Sequence, residues 1–267
     1  VTDLRAEIIE AILTAEADRP RSKQTALGIS EFGSPCDRKL IGKLTRTEID
    51  GGRPSSSSWA PIMGTALHDA TFAPALLAWN ERNGRERFLV EQAVTLSRGP
   101  LIIGHVDVFD TDTGTVIDHK LTSMAKLKRV MAAGPGATYQ VQAQGYGLAL
   151  LLAGHPVREV MILFYPRDGD ISQAYAWSAP FDPSIGVAAL LRVARLIEAS
   201  KAPDALALAD TADDYCRSCP LHKIGAPAPR PGRPFTGCPG NRWAPRTEPP
   251  TTTAGAYAAA GNRRGTP

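Results

Sequence analysis

Two carboxylates and a lysine lie close together along the chain, in GHVD at residues 104–107 and IDHK at residues 117–120. Asp107 falls near the end of a strand-like run, LIIGHVDVF (101–109), and Asp118 and Lys120 fall in the returning run TVIDHKL (115–121). The TDTG turn at 111–114 joins the two. Side chains two apart on a strand share a face, so Asp118 and Lys120 point the same way, and the hairpin brings Asp107 alongside Asp118. Two carboxylates held together in apolar surroundings repel, and one takes up a proton unless a cation compensates. A hard divalent cation, Mg²⁺ or Mn²⁺, suits oxygen ligands and removes the conflict. Bound there, it can polarise a phosphodiester and acidify a water, while Lys120 orients that water or stabilises developing charge. An ordinary hairpin with the same residues facing solvent would do none of this, and a DxK alone is a weak signal.

The elements around the hairpin must hold it in place. Apolar residues at helical spacing predict a helix over 2–17, with Asp3 as its cap. A short helix over 30–45 follows, capped by Ser30 and carrying Cys36 inside or at its edge. GGRPSSSS at 51–58 reads as a loop, and Met63, Leu67, Phe72, Leu76 and Leu77 mark a second helix over 61–83. Three strands are expected at 87–97, 101–109 and 115–121. GPG at 134–136 then breaks the chain before an apolar helix over 138–153. Strands at 158–165 and 171–177 and a helix over 183–199 complete the readable core. This order implies an α/β or α+β fold, a mixed central sheet flanked by helices. By composition the chain divides into an N-terminal helical segment (1–60), a core (61–202), a cysteine-bearing segment (203–243) and a Pro-, Thr-, Ala- and Gly-rich tail (244–267) expected to be flexible.

Four blocks occur in a recognisable order: GTALH at 64–68, GHVD, IDHK and QAQGY at 142–146. Together they resemble the GxxxH, GxxD, (D/E)xK and QxxxY motifs of RecB-like nucleases in the PD-(D/E)xK superfamily. The resemblance implies a restriction-endonuclease-like core and a DNA-cleaving active site. It implies Asp107 and Asp118 as main metal ligands, His68 as an additional ligand, and a contribution from the backbone carbonyl of His119. It makes Lys120 the catalytic lysine. Gln142 and Tyr146, one helical turn apart, would support the site and contact DNA. The imidazoles of His105 and His119 alternate away from the motif face, so packing or solvent is expected for them, and His155 falls in a helix-ending loop.

The chain has four cysteines, Cys36, Cys216, Cys219 and Cys238. One precedes the core and three follow it, and basic residues follow the first in SEFGSPCDRKL. This resembles the iron–sulfur branch of the superfamily, which includes AddB nuclease domains and CRISPR-associated RecB-like exonucleases. The resemblance implies that the four thiolates, the ligands such clusters take, hold a [4Fe–4S] cluster tying the two ends of the chain together. The gap between Cys219 and Cys238 is long for that branch, and CxxCxxH at 216–222 offers zinc an alternative site of Cys216, Cys219, His222 and one further cysteine.

Thirty basic and 27 acidic side chains leave a net charge of +3, too small to identify a nucleic-acid partner by itself. Local clusters at Arg38, Lys39, Lys43 and Arg46 and at Lys126, Lys128 and Arg129 are the places where DNA phosphates could bind, though either could be a solvated helix face. No apolar run approaches the roughly 20 residues of a membrane helix, and the N-terminus lacks the pattern of a secretory signal. The expectation is a soluble protein of a bacterial, archaeal or phage-infected cytoplasm with no membrane partner. Its partner is DNA with single strands or free ends, and homo-oligomers or recombination or adaptation proteins are further partners. The resemblance implies a single-strand-preferring exonuclease. A structure-specific flap or junction endonuclease, or a non-catalytic cluster-bearing subunit of a helicase–nuclease complex, stays open beside it.

Overall fold

The computed structural model describes residues 3–18, 26–49, 59–99, 101–213, 216 and 219–240. The loop expected at 51–58 and the tail expected at 244–267 lie outside these residues. The described chain forms two compact units interleaved in sequence. Residues within 28–34 and 66–195 make up one, and residues within 1–27, 35–65 and 196–243 the other.

The first unit is built on one five-stranded mixed sheet, β1 (Phe88–Arg98), β2 (Leu101–Asp110), β3 (Thr115–Thr122), β4 (Glu159–Pro166) and β5 (Tyr175–Pro180), paired in that order. β1 to β3 form an antiparallel meander, β4 runs parallel to β3, and β5 returns antiparallel to β4. A parallel pair needs a long crossover, and here it carries two helices, α5 (Met124–Ala133) and α6 (Ala137–Leu152). Only the second is expected from the sequence. Ser123 caps α5 by accepting the Lys126 N–H at 3.3 Å, and the helix buries only Leu127 and Val130, an apolar stripe masked by Lys126, Lys128 and Arg129. β5 also starts later than expected, because Asp170 accepts the Ser172 N–H at 2.8 Å and turns residues 171–173 into a 3₁₀ segment.

α6 is buried continuously from Gln142 to Leu150 and packs on β1 to β4. Glycine inside a helix costs about 1 kcal/mol relative to alanine, and here close packing demands it. A Cβ on Gly147 would lie 2.6 Å from Phe181 Cε2. The sheet contributes Val106, Phe109, Val116, Ile162 and Phe164 to the same core.

The helix expected over 61–83 is interrupted. α3 (Trp59–Leu67) passes through a π turn at His68–Phe72 into α4 (Ala73–Asn83). Pro74 has no N–H to give to the carbonyl one turn back, and its ring crowds that carbonyl, which accounts for the local widening. Such turns frequently mark functional sites, and this one begins at His68.

In the second unit, α1 (Leu4–Asp18) is capped as expected, with Asp3 Oδ1 accepting from the N–H groups of Arg5 at 3.1 Å and Ala6 at 3.4 Å. α2 (Asp37–Leu44) begins directly after Cys36, and Ser30 does not cap it. Ser30 belongs to a separate 3₁₀ turn at Ile29–Glu31, and Pro35 disfavours helix at Ser34 between the two. α7 (Pro183–Ala199) lies mostly in the first unit, and α8 (Ala205–Leu208) of the second leads into the C-terminal segment. That segment is held to α2 by Arg38, whose N–H donates to Asp210 O at 3.1 Å and whose Nε donates to Leu206 O at 2.7 Å. A Cβ on Gly42 would come 2.5 Å from Leu221 Cδ1, so α2 approaches the segment at a glycine. Among the described residues no helix is long and apolar enough to cross a membrane.

Candidate active site

The register of the hairpin positions the acidic residues. Val108 pairs with Ile117 and Phe109 with Val116, which sets Asp107 across from Asp118. On its other side, Val90 pairs with Val108 and Gln92 with Val106, so Glu91 faces Asp107. Glu91 adopts φ 49°, a left-handed conformation that is strained for a non-glycine residue. Its carboxylate meets the imidazole that the π turn presents: His68 Nδ1 lies 3.5 Å from Glu91 Oε1 and 3.6 Å from Asp107 Oδ1. One ligand atom each from His68, Glu91 and Asp107 lie within 4.8 Å of one another. The other Asp107 oxygen accepts the His119 N–H at 2.8 Å.

Asp118 and Lys120 form the adjoining pair. Lys120 Nζ lies 2.5 Å from Asp118 Oδ2, and Gln142 Nε2 donates to Asp118 Oδ1 at 2.9 Å. Gln142 therefore reaches Asp118 from α6. Tyr146, one turn further on, is buried beneath Gly104, where a Cβ would come 2.9 Å from Tyr146 Cε1. This contact explains the glycine that opens GHVD. His119 is buried by packing: its ring stacks on Phe72 with centroids 4.6 Å apart, and its Nδ1 lies 3.1 Å from the Tyr165 hydroxyl. His105 is exposed, and His155 lies against Phe109.

The electrostatics show how much of the charge here is uncompensated. Burial pushes the Asp107 carboxyl up to about 7, and the charge of Asp118 adds to the effect. Burial pulls the His68 imidazole down, but the Glu91 hydrogen bond and the Asp107 charge outweigh it and leave it above its ordinary value. Lys120 follows the same logic, with Asp118 and Asp107 outweighing burial and holding the ammonium charged. Burial lowers the His119 imidazole to about 4, aided by the charges of His68 and Lys120, so it packs as a neutral ring.

This donor set fits a small divalent cation. Two carboxylate oxygens and one imidazole nitrogen converge, an oxygen-rich set that suits Mg²⁺ and, with the nitrogen, Mn²⁺. Asp118 stands beside the trio, turned toward Lys120 and Gln142.

No family model matches the chain, and no curated protein matches it. Among solved structures it is similar to SSO0001, with 14% identity over 86% of this chain and 98% of that one and a TM-score of 0.48. It is similar to the alkaline exonuclease LHK-Exo of Laribacter hongkongensis, with 12% identity over 68% of this chain and 90% of that one and a TM-score of 0.48. A phage-related exonuclease of Haemophilus somnus 129PT aligns at 13% identity over 53% of this chain and 70% of that one, with a TM-score of 0.36.

The cysteines form a second candidate site, within the other unit. Cys36, Cys216, Cys219 and Cys238 line one cavity together with Lys39 and His222. The long Cys219–Cys238 gap is closed by a short bridge, in which Cys238 N–H donates to Leu221 O at 2.7 Å and Lys223 N–H donates to Cys238 O at 2.9 Å. Arg38 Nη1 lies 3.6 Å from Cys238 Sγ. Burial pushes the Cys219 thiol up, and the nearby Lys39 charge opposes this. Among the described residues, no three of these sulfurs and the His222 nitrogens come within 4.8 Å of one another.

Glu91 does not stand out in the sequence. Its signal was present as the lone acid in the apolar strand FLVEQAV, directly before the GHVD strand. Register turns that acid into a neighbour of Asp107, and register was not legible from the strand's composition.

Proposed function

We propose that this chain is a divalent-metal-dependent DNA nuclease of the RecB-like PD-(D/E)xK type, acting on single-stranded ends. One observation carries the reading: the converging ligand atoms of His68, Glu91 and Asp107 adjoin the Asp118–Lys120 pair on one hairpin. A Mg²⁺ or Mn²⁺ ion held by His68, Glu91, Asp107 and Asp118, with the His119 carbonyl as a further oxygen, would polarise a phosphodiester and make a water more acidic.

The chain's own groups do the rest. Gln142 fixes the orientation of Asp118 through Oδ1. Asp118 in turn keeps Lys120 charged, so the ammonium can stabilise negative charge as it develops on the phosphate oxygens or hold the attacking water. The Phe72, His119 and Tyr165 rings pack behind His68, whose ring meets Phe72 edge-on at 5.6 Å, and restrict the imidazole's movement. The preference for single strands and for ends rests on the resemblance. The intact Lys120 weighs against a non-catalytic subunit.

We also propose that Cys36, Cys216, Cys219 and Cys238 bind a [4Fe–4S] cluster, which when present would cross-link α2 to the C-terminal segment. Four cysteines lining one cavity with the cationic Arg38 and Lys39 beside them support an anionic thiolate-bound centre, and the resemblance of the cysteine order favours a cluster over zinc. Protein purified without oxygen should absorb broadly in the visible range and contain iron; a colourless protein with stoichiometric zinc contradicts this.

Digestion of labelled linear and covalently closed circular single-stranded DNA in Mg²⁺ or Mn²⁺ tests the main reading. Degradation of linear strands only is expected. Cutting of circles would replace the exonuclease reading with an endonuclease one, and no cutting of either would remove the nuclease reading.

A further inference from the structure

Of the three basic residues on α5, Lys128 and Arg129 are exposed and Lys126 is not. Lys126 is half-buried, and its ammonium is fixed by Tyr139 on α6. Its Nζ donates to the Tyr139 hydroxyl at 2.8 Å and lies 4.8 Å from the ring centroid. Lys120 Nζ lies 5.9 Å from the same centroid, so one phenol ring is shared by two ammonium groups. Their circumstances differ. Lys120 is paired with the Asp118 carboxylate, whereas the partner described for Lys126 is a phenol hydroxyl.

Lys126 thus carries a positive charge beside the Asp118–Lys120 pair that has a hydroxyl as its described partner, and an anion can join it. Cation–π contact holds this second ammonium in one place. Next to a site that cuts phosphodiesters, the anion with the right chemistry is another phosphate of the same strand.

We propose that Lys126, positioned by Tyr139, binds a non-bridging oxygen of a phosphate neighbouring the one that is cut. The inference rests on the nuclease reading and assigns the pair as a substrate-positioning contact. The contact is electrostatic and independent of base identity. Tyr139 acts through Lys126: its hydroxyl holds the ammonium toward the strand, and its ring faces Lys120.

The test measures binding of a fluorescent oligothymidylate to the full-length protein in Ca²⁺ across a range of NaCl concentrations, together with steady-state cleavage in Mg²⁺. Each single-strand phosphate contact contributes roughly 0.7 to the slope of log affinity against log salt. Lys126→Gln should flatten the slope by about that amount, raising KM more than it lowers kcat. Lys126→Arg should restore the slope, and Tyr139→Phe, which keeps the ring but removes the acceptor oxygen, should weaken binding less than Lys126→Gln does. A wild type that binds and cuts while Lys126→Gln keeps the full slope and KM overturns the inference and leaves the nuclease reading standing. A wild type that neither binds nor cuts overturns both. Thermal melting of each variant identifies misfolding, and if Lys126→Gln misfolds, an unchanged slope and KM in Tyr139→Phe overturn the inference.

Discussion

The last four residues of strand β2 begin and end with aspartates, Asp107 and Asp110, whose surroundings are opposite. Asp110, at the turn, is buried and fully satisfied. It receives two hydrogen bonds from Arg87, at 2.8 Å from Nε and 2.7 Å from Nη2, one from the Thr113 hydroxyl at 2.9 Å and one from the Asp112 N–H at 3.1 Å. The Arg87 hydrogen bonds hold its carboxyl below the usual range, despite burial. Asp107, further back along the strand, receives one backbone hydrogen bond and faces Asp118 and Glu91, and burial with the Asp118 charge pushes its carboxyl up to about 7. One strand thus supports a locked structural carboxylate and a frustrated one. Unrelieved charge in a well-packed region marks the place where a ligand of opposite charge belongs.

The largest expected effect lies at the frustrated end. Lys120→Ala should slow cleavage by at least roughly 10²-fold, the scale of removing one group that stabilises transition-state charge, with little change in the melting temperature. Gln142→Ala removes the donor that orients Asp118 and should cost about 10- to 100-fold in activity or metal affinity, as losses behind a ligand do; steady-state rates across a Mn²⁺ titration would measure it.

At the locked end the readout reverses. Asp110→Ala should lower the melting temperature by roughly 5 °C or more, while the protein that remains folded keeps its cleavage rate. A large rate loss in that folded fraction would erase the distinction between the two ends.

The smallest effect is the dependence on pH, which should have opposite signs at the two ends. Asp107 binds its proton more tightly folded than unfolded, so its contribution to stability is full below its ordinary value of 3.8 and is lost as pH rises through about 7. Asp110 has a lowered value, so its contribution is present above the ordinary carboxylate range and is lost as pH falls through its folded value. Melting of the metal-free protein between pH 5 and pH 8 should therefore show a declining component that Asp107→Asn removes. Because that proton must leave before a cation binds, Mn²⁺ affinity should climb over the same interval.

Much of the fold was legible because its signals are local. The β2–β3 hairpin follows from two alternating apolar runs around TDTG, and α6 follows from an apolar run after a glycine break. α5 was missed because its stripe is only Leu127 and Val130, set among cations. Asp107, Asp118 and Lys120 were readable from the hairpin, whereas His68 and Gln142 were singled out only by the resemblance of their motifs. Glu91 was not, since its placement depends on strand register and a strained backbone, neither of which leaves a compositional mark. The widening that begins at His68 was foreshadowed by Pro74 alone. The cysteine cavity joins residues from Cys36 to Cys238, far apart in the chain, and only their family-like order suggested it.

The central claim is that the Asp107 end of this four-residue stretch of β2 is a metal site that cuts DNA and the Asp110 end is not. The most direct measurement is single-turnover cleavage of an end-labelled single strand in Mn²⁺ at pH 8, with wild type, Asp107→Asn and Asp110→Asn compared at equal folded concentration. Cutting by wild type and Asp110→Asn, abolished in Asp107→Asn and by chelation of the metal, is the expected result. Cutting by Asp107→Asn at the wild-type rate, or a wild type inert with every divalent cation, would contradict it.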